Sequence, residues 1–512
     1  MVGSKARSIR RNTLLFGATL ALMLLANFVT LFGDLYYETA SDLMFAACIL
    51  LDVSILSDLI PNIRRDIALF VFVGTYNILL FGRVFVCFAS GYADILQLLE
   101  ANDFKVLFTA LQVTALSLFF VYLAYKLAAP LFYRREKRMR EEGTAALSKN
   151  PLLPVIRKIS TAVLLVSSVA SFYALFESIL NVRRNGYLNS FVNTSVQVPA
   201  GIGRISMFFI PSFAVFLATF PSKKQMKLPL CIYGVYMLAS IFTGRRTTFV
   251  CEALMLAIYF VMRDNLRKKD DRILKKKTVG WLAVLTAAAM YLLQLFAVIR
   301  AGVSNVSKGF GSMLVNFFNS QGASFRVVVQ TVNNWKLFDS TVSYLYLFYP
   351  FELFVHNNTI TRNLFGLTPI VETQSAEFAQ STHNYAHALT YLVDPGRYLS
   401  GGGFGTSYVA EAYVAYGLIG VFAVSVMLGL ILRFLASLFT RSWVVVACGL
   451  IGVKEFVYMP RSFAFQWVTD VFSITYFSFY IAVYLAALFF VWAGAHVLPT
   501  RADSLRKGAS GA

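Results

Sequence analysis

Residues 412–438 read AYVAYGLIGVFAVSVMLGLILRFLASL, with Arg433 as the one charged side chain. A bilayer core is crossed by a helix of about 20 mostly apolar residues, and this run is longer than that. Eleven further runs of the same kind stand at about 13–33, 41–60, 67–90, 106–131, 157–180, 203–221, 228–243, 248–263, 279–299, 442–459 and 466–494. Helices satisfy their own backbone groups in hydrocarbon, so the pattern predicts an all-α polytopic membrane protein with about 12 transmembrane helices. Composition agrees. The 512 residues are 58% hydrophobic and 14% charged, with a mean hydropathy of +0.64. A soluble domain is nearer half apolar and a quarter charged. The 15% aromatic content suits lipid-facing surfaces and interfacial belts.

Outward from 412–438, the connections alternate in charge. Lys and Arg concentrate in the N-terminal tail, 61–66, 132–158, 221–227, 263–277, 433–441 and the C-terminal tail. Cytoplasmic segments carry this excess, which predicts both termini in the cytoplasm. The net charge of +20 is therefore read as orientation, and nucleic acid is excluded as a partner. The runs RREKRMR (134–140) and RKKDDRILKKK (267–277) are expected to contact anionic inner-leaflet lipid. The start, MVGSKARSIRRN, is basic and lacks a small-residue cleavage site, so an uncleaved anchor is expected. The five cysteines sit in apolar runs without CxxC spacing, which points to neither disulfides nor zinc.

Three regions follow: 1–299 with nine spans, 300–411 as one long extracytoplasmic loop with short helices, and 412–512 with three spans and a cytoplasmic tail. A loop of that length implies function. Within it, Val342–Val355 is apolar but too short to span, and it contains Pro350 and Glu352. It predicts an interfacial or re-entrant helix.

The loop ends in the stretch HNYAHALTYLVDPGRYLSGGGFGTSYVAEAYVAYGLIG, 383–420. Two of the four histidines, His383 and His387, stand here four apart, which on a helix is one face. His-x3-His can hold a metal, but no third ligand has supporting spacing, so no metal is assigned. A histidine at this surface suits a general base near neutral pH, and it equally suits an interfacial hydrogen bond. His356 is a weaker candidate. Gly402 and Gly403, in a Gly-Gly-Gly-Phe-Gly-Thr run, permit close backbone approach to a ligand, or simply a flexible re-entry into the membrane. The run lacks the Lys-Ser/Thr of a phosphate loop. Glu411 among apolar neighbours is a candidate acid or base, or a partner for an outer arginine. Tyr408 and Tyr413 offer flat faces and hydroxyls for sugars, though an aromatic belt looks the same.

A second signal lies at Thr243-Gly244-Arg245-Arg246-Thr247-Thr248. The flanking runs, 228–243 and 248–263, are each about 16 residues, roughly 24 Å of helix, so this turn sits low at the outer headgroups. Arg245 and Arg246 there oppose the positive-inside trend. Arg204, Arg300 and Arg461 also fall at outer span ends. Arginine's planar fork suits a diphosphate; arginines at helix ends also simply snorkel. Charges within spans (Asp52, Asp58, Glu252, Lys454, Glu455, Asp470) fit a proton or ion path, but they share no one segment. Sequences for a nucleotide-sugar DxD site, a GxSxG elbow or an HExxH zinc site are lacking.

Taken together, the chain resembles the O-antigen polymerase (Wzy) family. The resemblance rests on GRRTTF at 244–249, Arg300 after the next outward span, the long outer loop, and LTYLVDPGRYLSGGGFGTSYVAEAYVAYGLIG at 389–420. It implies a multi-pass glycosyltransferase of the GT-C type in the bacterial inner (plasma) membrane, its site facing the periplasm. The implied substrates are undecaprenyl-diphosphate-linked repeat units, transferred without metal, nucleotide or other cofactor. The bilayer and a chain-length regulator are the implied partners. By analogy with O-antigen ligases, His383 or His387 would be the base, and Arg245, Arg246 and Arg300 would hold the diphosphate. The competing readings are a ligase and a flippase for lipid-linked sugar. A flippase predicts pseudo-symmetric halves, which this sequence does not show.

Overall fold

A computed structural model describes residues 2–89, 95–142, 150–186, 198–244, 246–267, 272–274, 310–338 and 341–496. Among these the regular structure is helical, without strands. The first long helices are α1 Arg11–Phe32, α2 Asp34–Asn62, α3 Ile67–Ala89, α4 Phe104–Leu127, α5 Leu152–Asn185, α6 Ala200–Ala218 and α7 Lys223–Thr243. Helix α8, Arg246–Leu266, follows. Then come short helices α9 Phe310–Gln321, α10 Phe325–Asn334, α11 Ser343–Asn357, α12 Thr359–Phe365, α13 Ala376–Ser381, α14 Tyr385–Val393 and α15 Pro395–Leu399. Three long helices close the order: α16 Tyr408–Ala436, α17 Trp443–Arg461 and α18 Gln466–Gly494.

Ten of these, α1–α7 and α16–α18, are long and apolar enough to cross a membrane. The chain is an all-α polytopic membrane protein. The expected run at 248–263 lies in α8, which carries Glu252, Arg263 and Asp264 and is the more polar for it. The run at 279–299 falls outside the described residues. Exposed apolar side chains, such as Leu24 and Phe28 on α1 and Ile481, Leu485 and Phe489 on α18, cover faces suited to lipid.

Packing builds from small residues. Helix α16 lies along α4, and α2 packs against both α4 and α1. A Cβ on Gly429 of α16 would stand 2.4 Å from the Val121 carbonyl oxygen and 2.8 Å from Ala124 Cβ of α4. Lipid tails are as apolar as leucine, so close backbone approach and buried polar stitches hold such helices together. Here the stitch is Ser117 Oγ, 2.7 Å from the Tyr408 hydroxyl and 2.9 Å from Ser425 Oγ. Gly429→Leu is expected to wedge α4 from α16, costing about 1–3 kcal/mol. Thermal unfolding of the purified protein in detergent would show the loss, whereas Gly17→Leu, with nothing within 4 Å of a Cβ, should leave it unchanged.

Helix α16 is not one rod. Tyr416 (φ −143°, ψ 20°) and Gly417 (φ 59°, ψ −143°) break it. Gly417 occupies positive φ, which L-residues rarely adopt. Gly420 lets the two pieces close up, since a Cβ there would meet the Ala412 carbonyl oxygen at 2.1 Å. The apolar run at 412–438 thus contains a bend, and the helix begins earlier, at Tyr408.

The short helices gather at the Tyr408 end of α16. Helix α10 packs on α4 and α16, and α11 packs on α16 and the start of α18. Helix α9 docks on α3 through two glycines. A Cβ on Gly82 would lie 3.1 Å from the Phe318 carbonyl oxygen, and one on Gly322 would lie 2.1 Å from the Arg83 nitrogen.

Candidate functional site

Helix α14 is the hub of this cap. Asn384 caps it: its Oδ1 accepts the His387 N–H (3.3 Å) and its Nδ2 donates to Glu372 Oε1 (3.2 Å). One face is buried. The Tyr385 hydroxyl lies 2.5 Å from Thr331 Oγ1 of α10, and its ring packs against Phe338 and Tyr346.

The two histidines do not share a face. The helix starts at Tyr385, so His383 precedes the cap and points elsewhere. His383 Nδ1 is 2.9 Å from Glu352 Oε2 on α11, and both side chains are partly exposed. His387 Nδ1 is instead 2.8 Å from the Tyr398 hydroxyl, with its ring against Phe378. Burial lowers the His387 pKa below its ordinary value, with the Glu372 charge opposing in part, so the imidazole is neutral at neutral pH. Burial also pushes the Tyr398 phenol up to about 12. His356 is occupied separately, with Nδ1 2.9 Å from the Thr368 carbonyl. Among the described residues no group of three or more His, Cys, Asp or Glu is placed to hold a metal.

The glycine run packs on α14 and α15. Phe404 N–H donates to Thr390 Oγ1 (3.0 Å), and the Gly402 carbonyl accepts from Gln374 Nε2 (2.6 Å). Gly403 is exposed. Two guanidinium groups lie over the Phe404 ring, Arg326 at 4.9 Å and Arg397 at 5.1 Å from its centre. Gly402 makes room for the second, since a Cβ there would be 2.8 Å from Arg397 Cγ and 3.0 Å from its carbonyl oxygen. Arg326 is ion-paired to Glu100. Glu100 is held in the left-handed region (φ 60°), where its carbonyl accepts from Gln330 Nε2 (3.2 Å) and Asn333 Nδ2 (3.1 Å) of α10. A non-glycine residue there stores strain, and the three contacts to α10 hold it. Arg397 is exposed and makes no ion pair among the described residues.

The other sequence candidates are dispersed. Glu411 is fully buried: Thr406 Oγ1 donates to its Oε1 (2.5 Å) and Ala464 N–H to its Oε2 (2.9 Å). It ties the end of the glycine run to the segment after α17. Tyr408, also fully buried, spends its hydroxyl on Ser117, while Tyr413 is half-buried. Arg245 and Arg300 lie outside the described residues. Arg246 opens α8 and Arg461 closes α17, and these helix ends meet where Thr247 Oγ1 lies 3.3 Å from the Tyr458 hydroxyl. Arg204 is exposed near the start of α6. The charges scattered through the spans partly assemble: Lys454 Nζ is 4.0 Å from Glu252 and 3.8 Å from Glu455, which faces Asp470.

Glu352, Glu372, Arg326, Arg397, Phe404 and Glu100 were not legible as site residues. Arg397 and Phe404 stand within the stretch that signals the site. Glu352 is the one acid in the short apolar run at 342–355. Nothing local marks Arg326 or Glu100.

Such an assembly defines a polytopic helical membrane protein whose polar site, with a histidine, carboxylates and arginines, caps one end of the bundle. The chain belongs to the O-antigen polysaccharide polymerase Wzy family, whose model matches residues 8–492. Membership makes it a glycosyltransferase-like polymerase of polysaccharide repeat units in a membrane. Comparison with curated proteins and with solved structures returned no match.

Gly402→Ala is expected to displace Arg397 from Phe404 and to lower polymer yield about 10-fold, a misplacement effect, with unfolding temperature unchanged. Gly234→Ala in α7, where a Cβ meets nothing within 4 Å, is the control.

Proposed function

We propose that the chain extends polysaccharide from undecaprenyl-diphosphate-linked repeat units at the periplasmic face of the bacterial inner membrane. The observation that carries this reading is the His383–Glu352 pair, set in the same cap as two guanidinium groups on Phe404. Glu352 accepts the Nδ1–H of His383, which leaves Nε2 with its lone pair outward. A hydroxyl on the incoming unit attacks the anomeric carbon of the growing chain, and its proton passes to His383 Nε2. A new glycosidic C–O bond forms as the C–O bond to the lipid diphosphate breaks. The diphosphate leaves as an anion, its charge met chiefly by Arg397, with Arg326 beside it on Phe404 and Arg245, Arg246, Arg300, Arg461 and Arg204 as further cations. The lipid diphosphate is itself an activated leaving group, so the chemistry draws on neither nucleotide nor metal.

Burial of Glu411 and Tyr408 favours positioning roles at the junction between glycine run and span. Gly402 and Gly403 would admit the saccharide, with Tyr413 at its edge. The uneven distribution of Lys and Arg supports cytoplasmic termini, which puts the Tyr408 end of α16 outside. A chain-length regulator would act on this machinery as a partner.

The test is purified protein with a lipid-linked repeat unit and neither nucleotide nor metal, read on a gel. A ladder in multiples of the unit is expected. A single addition to a different acceptor would mark a ligase. Movement of the unit across vesicles without joining would mark a flippase.

A further inference from the structure

At the other end of α16, about 40 Å along the bundle, a cavity of about 540 Å³ opens between the α2–α3 turn, the end of α8 and the α16–α17 connection. Arg64, Arg65, Asn62 and Asn265 give it polar walls, and Met262 and Phe439 are among its apolar ones. Among the described residues, the carboxylates beside the cavity are already engaged. Asp66, fully buried, takes Arg65 (2.7 Å), Lys126 (3.9 Å), Arg433 (3.8 Å) and the Tyr125 hydroxyl (2.8 Å). Asp58 takes Lys126 and the Tyr122 hydroxyl. Asp264 takes Arg263 (3.1 Å) and the Leu274 N–H (2.6 Å). Among the described residues Arg64 is left with no carboxylate, and its carbonyl is engaged by Asn265 Nδ2 (2.5 Å). Asn62 Nδ2 likewise donates to the Asp58 carbonyl (2.9 Å). Both amides are thus oriented by the backbone, with oxygens that can accept.

We propose that this cavity binds the headgroup of an anionic phospholipid, with the phosphate on Arg64 and the outer edge of Arg65. Cationic pockets between membrane helices take such headgroups, and the guanidinium fork matches a phosphate. Asn62 and Asn265 oxygens accept from headgroup hydroxyls, so a glycerol headgroup is preferred. The site is separate from the transfer chemistry, and its failure would leave that reading untouched.

The experiment uses the full chain, delipidated in detergent, with bound lipid counted by native mass spectrometry. Phosphatidylglycerol is expected to bind more tightly than phosphatidylcholine. Arg64→Gln should weaken phosphatidylglycerol about 5-fold, the effect of one surface cation. Lys224→Gln, an exposed cation at the start of α7 and outside the cavity, should not. Equal binding by wild type and Arg64→Gln would overturn the site, and so would an equal loss in Lys224→Gln, which would mark diffuse attraction. Inorganic phosphate is the second probe. If it bound in an Arg64-dependent way while phosphatidylglycerol did not, the lipid assignment would be overturned.

Discussion

Replacing His383 by alanine is expected to cut polymer formation about 10²- to 10⁴-fold, the range a positioned general base contributes. The imidazole is partly exposed, with its Nδ1 on Glu352 and its ring centre 6.1 Å from that of Tyr346, so its loss opens no core cavity. Unfolding temperature should hold. Glu352→Gln is expected to fall nearly as far. A glutamine carries no charge to stabilise the imidazolium that forms, and with its NH₂ toward Nδ1 it moves the ring proton to Nε2, where the base is needed. The double variant should then be no worse than His383→Ala alone, because the two act as a unit. Exogenous imidazole restoring part of the His383→Ala rate would separate a lost base from a lost contact. His387→Ala should behave differently. That ring is half-buried, neutral and spent on Tyr398, so stability falls before rate does. A His383→Ala protein that polymerises at the wild-type rate would remove His383 from the chemistry.

Why the sequence left these two histidines undivided is a matter of one residue. Four-residue spacing predicts a shared face only if both residues are helical. Asn384 caps the helix between them, so His383 sits in the turn and reaches α11 while His387 faces α15. The Asn cap is visible in the sequence, but the competing assignment, a helix begun earlier, satisfies the same apolar pattern. Apolar runs were the most legible feature, because the bilayer imposes length and composition on each span separately. That is why α1–α7 and α16–α18 fall where the runs fall. The break in α16 was less so: Tyr416-Gly417 is a weak local signal, and the contact that requires Gly420 is made to Ala412 across the bend. Glu352, Arg326 and Glu100 come from segments distant in the chain, and no periodicity joins them. Glu252, Lys454, Glu455 and Asp470 looked scattered for the same reason, since three helices supply them.

Arg397→Ala is expected to reduce turnover about 10²- to 10³-fold, the cost of removing one preoriented group that meets developing negative charge. The choice of Arg397 over Arg326 follows from their partners. Arg326 is already neutralised by Glu100, so it adds little net charge, and truncating it leaves the Glu100 carboxylate unpaired on a strained backbone. Arg326→Ala should therefore lose stability as well as rate. Arg397 is exposed and makes no ion pair among the described residues, so its removal should cost rate alone. Arg397→Lys should recover only part, because a point charge cannot match two phosphate oxygens as the planar fork does. Phe404→Leu should release both guanidinium groups from the ring and fall between the two single arginine variants. The deciding readout is the split between turnover and substrate affinity. A group that acts on the leaving diphosphate changes turnover more than the Michaelis constant, whereas one that only attracts an anionic lipid changes the Michaelis constant alone. Arg397→Ala with unchanged turnover and a raised Michaelis constant would reduce this arginine to an electrostatic lure. The developing charge would then fall to the cations at the ends of α8 and α17.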